Sequence, residues 1–532
     1  MPVWKTFRHN GIAFPDPYVP KGLSVRFTGQ EVRLSPLAEE MAYQFAKKKD
    51  TPYVQDPVFR SNFMKYFTRE LPPPANKAKF EEVDFSHFYR FVDKEKADKE
   101  GMSKEEKKAL AATRKEKREA LKAIYGKALL DGKEIELSNW MAEPPGLFMG
   151  RGSHPLRGSW KPRVTSKDVT LNLDKSAPKP EGNWGSIVHD DESIWIARWI
   201  DKLTEKEKYV WPHESSDIQQ SRNKDKYDKA IRIGERLPKL QAAIRKKLAD
   251  RDERERKIAT VCYLIDEVGM RVGDEKDEDE ADTVGATTLR VEHIKRLDDR
   301  AIEFDFLGKD SVRWIKTMES PDPALISNMR KFTAGKKADA QIFDGINSVH
   351  VNAFLSKIVD GLSAKVFRTY HATRTVQEAL KSKDMRGASD LDKLYFAKEA
   401  NLAAARYCNH KRTPPKTWDE SLKKKEQKLA DYQAKGKEQM AEKTRRDIEM
   451  AKETKEYNLN TSMKNYIDPR TYKAWCDYVD LDWNKLYSKS LQRKFSWVAG
   501  SRTTWETEET EEPVRAVLPP KKTDETPSVA RC

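Results

Sequence analysis

The chain has 532 residues, with 101 Lys or Arg against 86 Asp or Glu, a formal surplus of +15. Charged residues form 35% of the sequence and mean hydropathy is −0.85, so no stretch nears the ~18 consecutive apolar residues of a membrane-spanning helix, while the length can bury several cores, unlike a disulfide-stapled miniprotein. So many cations make a polyanion, nucleic acid or an anionic surface, the first partner to expect.

The opening MPVWKTFRHNGIAF lacks the basic-then-apolar order of a secretion signal, so a soluble, intracellular protein is expected. Residues 1 to about 92 are rich in Pro and aromatics (Trp4, Phe14, Tyr18, Tyr53, Phe59, Phe63, Tyr66, Phe67), the pattern of a folded region with many turns. From Asp93 to Tyr125 the chain is strongly charged, and Ser103 followed by Glu106 reads as a capping box opening a helix. Its thin stripe of Leu110, Leu121 and Ile124 predicts a largely solvated helix.

Residues 135 to 215, with EPPGLFMGRGSHP, VTLNL and SIWIARWI, read as short strands and loops. After about Ser216 the period becomes helical, clearest in KLQAAIRKKLADRDERERKIATVCYLIDEVGMRVG. AIEFDFLGKDSVRWIKT interrupts it: apolar and polar residues alternate around Gly308-Lys309, which predicts a β-hairpin with a tight turn. Residues 417 to about 460 are charged again, and two helices turning at Gly436-Lys437 would make a short antiparallel hairpin. Residues 461 to about 500 look folded, whereas 501–532 lack an apolar period and read as disordered.

Cys262, Cys408, Cys476 and Cys532 stand far apart with no C-x-x-C pair, which argues against a disulfide framework or a zinc ribbon, and Cys408 with His410 lacks a second ligand pair. Gly308-Lys309-Asp310-Ser311 resembles the end of a phosphate loop, but position 303 is Glu and position 310 is Asp, so no nucleotide cradle and no cofactor is expected. A dispersed set is more informative: Arg271, Lys309, Arg368, His410 and Tyr466. Singly, each fits an ordinary structural role. Together they fit phosphodiester exchange, which needs a hydroxyl nucleophile, cations on the non-bridging oxygens and an acid for the departing oxygen.

The strings PPGLFMGRGSHP, ADTVGATTLRVEHI, FDFLGKDSVRW, GLSAKVFRTY, CNHKRTPPKTW and NYIDPRTYKAWC give the chain, from about Leu23 to Ala499, a specific resemblance to the eukaryotic-type type IB DNA topoisomerases. The resemblance implies that Tyr466 attacks a DNA phosphate to form a 3′-phosphotyrosyl bond, that Arg271 and Arg368 clamp the phosphate, that His410 hydrogen-bonds a non-bridging oxygen and that Lys309 protonates the leaving 5′ oxygen. Arg151, His154, Asp310 and Asn465 resemble residues that approach DNA near the cleavage point. The family usually has Arg where this chain has Met149, and Ser-Met-Lys-Asn precedes the tyrosine in place of Ser-Lys-Leu-Asn.

The fold so implied is a multidomain α+β protein. It is a bilobed DNA clamp with a mixed α/β cap at 1–216, a mainly helical catalytic domain resembling tyrosine recombinases at 217–416, a helical-hairpin linker at 417–460 and a small helical C-terminal domain at 461–500. The expected partner is double-stranded DNA, preferentially supercoiled, met by a monomer with no membrane association. Lack of a long basic N-terminal extension, together with a short linker, points to a compact member of archaeal type in the cytoplasm or nucleoid, with the nucleus as the alternative. A tyrosine recombinase or integrase-like strand transferase, a non-enzymatic DNA-binding protein and an RNA-processing enzyme are the other readings the residues leave open.

Overall fold

The computed structural model describes residues 2–150, 152–273, 284–308, 312–415, 417–501 and 503–505. The proposed disorder of 501–532 falls almost wholly outside them, as do Arg151, Lys309 and Asp310.

The N-terminal part is built on two separate cores. In the first, helices α1 (Pro36–Ala46) and α2 (Pro57–Phe67) bring together Phe45, Phe59, Phe63 and Phe67 with Phe85 and Phe88, and the Phe45 and Phe63 rings stack at 4.2 Å. Asp56 starts α2 by accepting from the backbone N–H groups of Val58 and Phe59 ahead of Pro57, whose missing N–H costs nothing at a first helical turn. An antiparallel sheet with Ser24–Phe27 at its centre closes this core. The second core gathers Trp4, Phe7, Trp140, Trp184 and Trp199 against a four-stranded sheet in the order Ser186–Val188, Thr170–Asn172, Ala197–Ile200, Glu207–Val210, of which only the first pair is parallel.

The charged run after Asp93 takes in the end of α3 (Ser86–Gly101) and then α4 (Lys104–Tyr125), the helix that opens at Ser103 as expected. Met102, at ψ 139°, breaks them, and Ser103 then restarts the chain with both arms of the capping box formed to Glu106. α4 buries no residue, and Leu110 and Ile124 are 37% and 50% exposed, as its thin apolar stripe predicts.

The long amphipathic stretch is likewise two helices, α5 (Asp217–Leu248) and α6 (Glu253–Val268), separated where Asp252 caps α6 through the N–H of Arg254. They pack with α7 (Pro323–Thr333), α8 (Ser348–Ile358) and an antiparallel sheet of Ile294–Leu297, Ala301–Gly308 and Val312–Glu319. In that sheet the alternation read from the sequence puts Ile302, Phe304, Phe306, Trp314 and Met318 into the core. Phe306 and Trp314 are directly opposed, with rings 4.8 Å apart. Gly308 pairs with Val312, so the hairpin is formed, and its tip at 309–311 lies outside the described residues.

α9 (Ala364–Lys381) joins this core to the last one, which it shares with α10 (Asp390–Tyr407), α13 (Leu459–Asn465) and α14 (Pro469–Tyr478). Between α10 and α13 runs the expected helical hairpin, α11 (Trp418–Ala434) and α12 (Glu438–Glu453). They reverse at Gly436, whose φ of 63° suits a residue without Cβ, and pair antiparallel through Lys452–Glu426 and Lys455–Asp419. α11 buries nothing, while α12 rests on α10 through Tyr395–Asp447 and Arg446–Asp392. Among the described residues no helix is long and apolar enough to cross a membrane.

Candidate active site

Four of the five dispersed residues meet at one place. Arg271 leaves α6 just after Gly269, which ends the helix at φ 66° with its Cα edge against the Tyr407 ring. The following segment is fixed by Ala286 N–H to Arg271 O at 2.8 Å and by the contact of Gly273 with Gly285, where a Cβ on Gly285 would lie 2.4 Å from the Gly273 Cα. Arg368 projects from α9, buried to 4% exposure, and one of its terminal nitrogens donates to the Cys408 carbonyl at 2.6 Å. Cys408 in turn ends α10, and Asn409 adopts φ 50°, so that the His410 N–H folds back onto Ala405 O.

Tyr466 follows α13, its N–H bonded to Ser462 O and its carbonyl accepting from Thr373 Oγ1 at 3.3 Å. The same threonine oxygen accepts from the Asp468 N–H. The phenol oxygen lies 3.2 Å from the Arg271 guanidinium and 3.5 Å from that of Arg368. Arg368 also lies over the Tyr466 ring at 4.9 Å, and the His410 ring is 5.0 Å from it, centroid to centroid. The loops carrying His410 and leading to Tyr466 are joined by backbone: Asn458 N–H to His410 O, Arg412 N–H to Glu456 O, and a bridge of Lys411 with Tyr457.

A cavity of about 350 Å³, lined by Arg271, Arg368, His410, Trp314 and Gly308 among others, adjoins these groups. Among the described residues neither arginine meets a carboxylate, and Arg368 Nε and both His410 ring nitrogens are buried without a partner. Buried polar groups in native proteins are normally satisfied, so orphans around a cavity mark a place where a ligand completes the bonding. Burial and the two guanidinium charges pull the His410 pKa down to about 3, leaving a neutral imidazole that can still donate one N–H. For Tyr466, burial alone would raise the phenol pKa, but Arg368 and Arg271 together outweigh it and hold it below the ordinary value. The arrangement can bind an anion and present a hydroxyl nucleophile to it.

The remaining expected contacts are spread more widely. Asn465 ends α13 beside the tyrosine, with its side chain turned back to Thr461 O and its carbonyl accepting from Lys226 Nζ at 2.9 Å. His154 lies in a turn of the N-terminal part, edge-on to Phe148 and accepting from the Leu156 N–H. Met149, where the family usually has Arg, packs on the phenylalanine core. Sequence reasoning missed Thr373, the Cys408 carbonyl and Asn409, whose Nδ2 donates to Arg313 O in the hairpin strand. All three act through hydrogen bonds in which one partner is main chain, which leave no spacing to read.

A phenol flanked by a neutral imidazole and two guanidiniums that no described carboxylate neutralises defines a class, the anion-binding sites that present a tyrosine hydroxyl. The comparisons narrow it. Residues 2–212 match the eukaryotic DNA topoisomerase I DNA binding fragment, 215–443 the eukaryotic DNA topoisomerase I catalytic core and 437–507 the C-terminal topoisomerase domain. The chain is 33% identical over 543 residues to DNA topoisomerase 1 of Homo sapiens, covering 93% of this chain and 70% of that protein. It is 34% identical over 539 residues to DNA topoisomerase 1 beta of Arabidopsis thaliana, covering 93% and 58%, and 37% identical over 441 residues to DNA topoisomerase 1 of Candidozyma auris, covering 81% and 58%. This chain belongs to the eukaryotic DNA topoisomerase I family, as its motifs suggested, and spans little more than half the length of the plant relatives.

Proposed function

We propose that the chain is a type IB DNA topoisomerase that relaxes positive and negative supercoils without ATP. The observation that carries this reading is the Tyr466 phenol held at 3.2 and 3.5 Å from two guanidiniums that no described carboxylate neutralises. In the proposed step Tyr466 Oη attacks a DNA phosphorus, the phenol proton passes to solvent, the P–O5′ bond breaks and Lys309 supplies the proton that leaves with the 5′-hydroxyl. Arg271 and Arg368 meet the charge that builds on the non-bridging oxygens, and the neutral His410 donates its N–H to one of them. One ester replaces another of similar energy, so the 5′-hydroxyl restores the phosphodiester by the reverse attack after the strand has swivelled. Torsion in the duplex drives the cycle.

The N-terminal cap and the catalytic half would form a clamp on duplex DNA, the latter with a recombinase-like fold, acting as a monomer with a preference for supercoiled substrate. Arg151, His154, Asp310 and Asn465 would lie along the DNA near the cut. Contacts chiefly to phosphates imply weak sequence preference and an affinity that drops by about 10³ or more between ~50 and ~200 mM salt. The test is relaxation of positively and of negatively supercoiled plasmid by dilute protein in EDTA without ATP, with denaturant-trapped adduct measured in parallel. Relaxation of both, with protein linked to a 3′ end, is expected. A requirement for defined paired sites would favour a tyrosine recombinase instead, and the absence of any adduct would overturn strand-transfer chemistry altogether.

A further inference from the structure

Lys316 stands midway along the strand Val312–Glu319, opposite Phe304, and the transfer chemistry described above has no use for it. Its Nζ donates to the carbonyl of Val268 at 2.8 Å, the last residue of α6 before Gly269 turns the chain toward Arg271. Helix-end carbonyls have no partner within the helix, and a cation there also meets the negative end of the helix dipole. The same ammonium lies 4.7 Å from the centroid of the Tyr407 ring, whose hydroxyl donates to Asp266 O at 3.5 Å. The next residue, Cys408, receives Arg368. One side chain therefore touches the ends of both α6 and α10, the elements that deliver Arg271 and the His410 loop.

No described carboxylate pairs with Lys316, and enough protein surrounds its ammonium to bring its pKa down to about 8. A lysine placed at this cost without an acidic partner is a poor stabilising device, because an apolar residue of similar volume would serve the fold as well. Its contribution must be sought in geometry. Among the described residues the Arg271 side chain bonds only the Tyr466 phenol, so its aim depends on the turn from Val268 to Arg271.

We infer that Lys316 is a positioning residue for strand transfer, which pins the end of α6 through the Val268 carbonyl and thereby sets the reach of Arg271 to the phosphate and to Tyr466. The inference rests on the proposed chemistry. A displacement of about 1 Å in a charge-stabilising group can cost on the order of 10²-fold in rate, so loss of the pin should be visible in single turnover.

The experiment measures the rate of covalent adduct formation on a DNA substrate whose released strand diffuses away, together with DNA affinity and melting temperature. Lys316→Met, which keeps the volume and removes the donor, is expected to slow adduct formation about 10- to 100-fold with affinity within about twofold of the parent. Lys316→Gln, whose amide can still donate to Val268 O, is expected to recover most of that rate. In an Arg271→Ala background the Lys316→Met change should cost less than about twofold, since the residue it acts through is gone. A full additive loss in that background, or parental rates for Lys316→Met, overturns the inference. So does a loss that only follows a fall in melting temperature and that Lys316→Gln does not repair. If the parent protein forms no adduct, it is the proposed chemistry that fails, which keeps the two failures apart.

Discussion

The segment around Tyr466 carries or meets two arginine sites that are built on opposite terms. Arg470, four residues beyond Tyr466, reaches Asp468 with two nitrogens and Asp228 with a third, at 2.7 Å for the closest contacts, and Asp468 itself caps α14. Arg368 and Arg271 face a carbonyl, a phenol and a cavity. The first site is electrically closed and ties the start of α14 to α5. The second holds two positive charges, Arg368 buried and Arg271 half-buried, that meet no carboxylate among the described residues, a cost that a phosphate would relieve. Within one fold, the distinction between an arginine that supports and one that acts lies in whether its carboxylate is present.

That contrast can be broken by experiment. The largest effect is expected for Tyr466→Phe, which removes one oxygen from the open site: adduct and relaxation should vanish while DNA retention stays within about twofold, and any residual adduct would move the nucleophile elsewhere. Arg271→Ala and Arg368→Ala should each slow single-turnover cleavage by about 10²–10³, the usual consequence of losing one donor to developing charge. Stability separates the two sites more sharply than rate does. Arg368→Met should leave the melting temperature of the DNA-free protein unchanged or raise it. Arg470→Met should lower stability by about 3 kcal/mol, because the buried Asp468 loses its cationic partner, while Asp228 keeps Lys224. Equal shifts in a melting experiment would erase the distinction.

A smaller effect comes from acid. His410, pulled to about 3, and His9, which burial brings to about 4 in the second N-terminal core, stay neutral in the folded chain where an unfolded histidine titrates near 6.5. The unfolded state therefore binds more protons between pH 6.5 and 4, and stability must rise with pH across that window. Each histidine should cost about 2 kcal/mol on going from pH 7 to 5. His410→Asn and His9→Gln should flatten the corresponding part of a melting-temperature profile, whereas an unchanged profile would show the rings to be solvated. For the same reason the cleavage rate should show no inflection near pH 6.5, and should climb toward alkaline pH as the phenol ionises below its ordinary range.

What could be read ahead of the structure was whatever repeats over a few residues. The capping box of Ser103 and Glu106, the alternation that pairs Phe306 with Trp314 and the glycine reversal at Gly436 are local, and each formed as expected. The break between α5 and α6 was legible too, since Asp252 and Glu255 have capping spacing, but the apolar period runs across it and concealed it. Convergence of Arg271, Arg368, His410 and Tyr466 is another matter. Nothing in their spacing brings them together, and only resemblance to a family pointed to the set. Thr373, Asn409 and Lys316 escaped even that, because a hydrogen bond to a main-chain carbonyl asks nothing of its partner's identity.

The four hydrophobic clusters, around Phe63, Trp140, Phe304 and Trp475, share no buried side chain. Heat should not dismantle such a molecule in a single cooperative event. Calorimetry is expected to resolve more than one endotherm, and a bound duplex should move only those belonging to the parts that grip it.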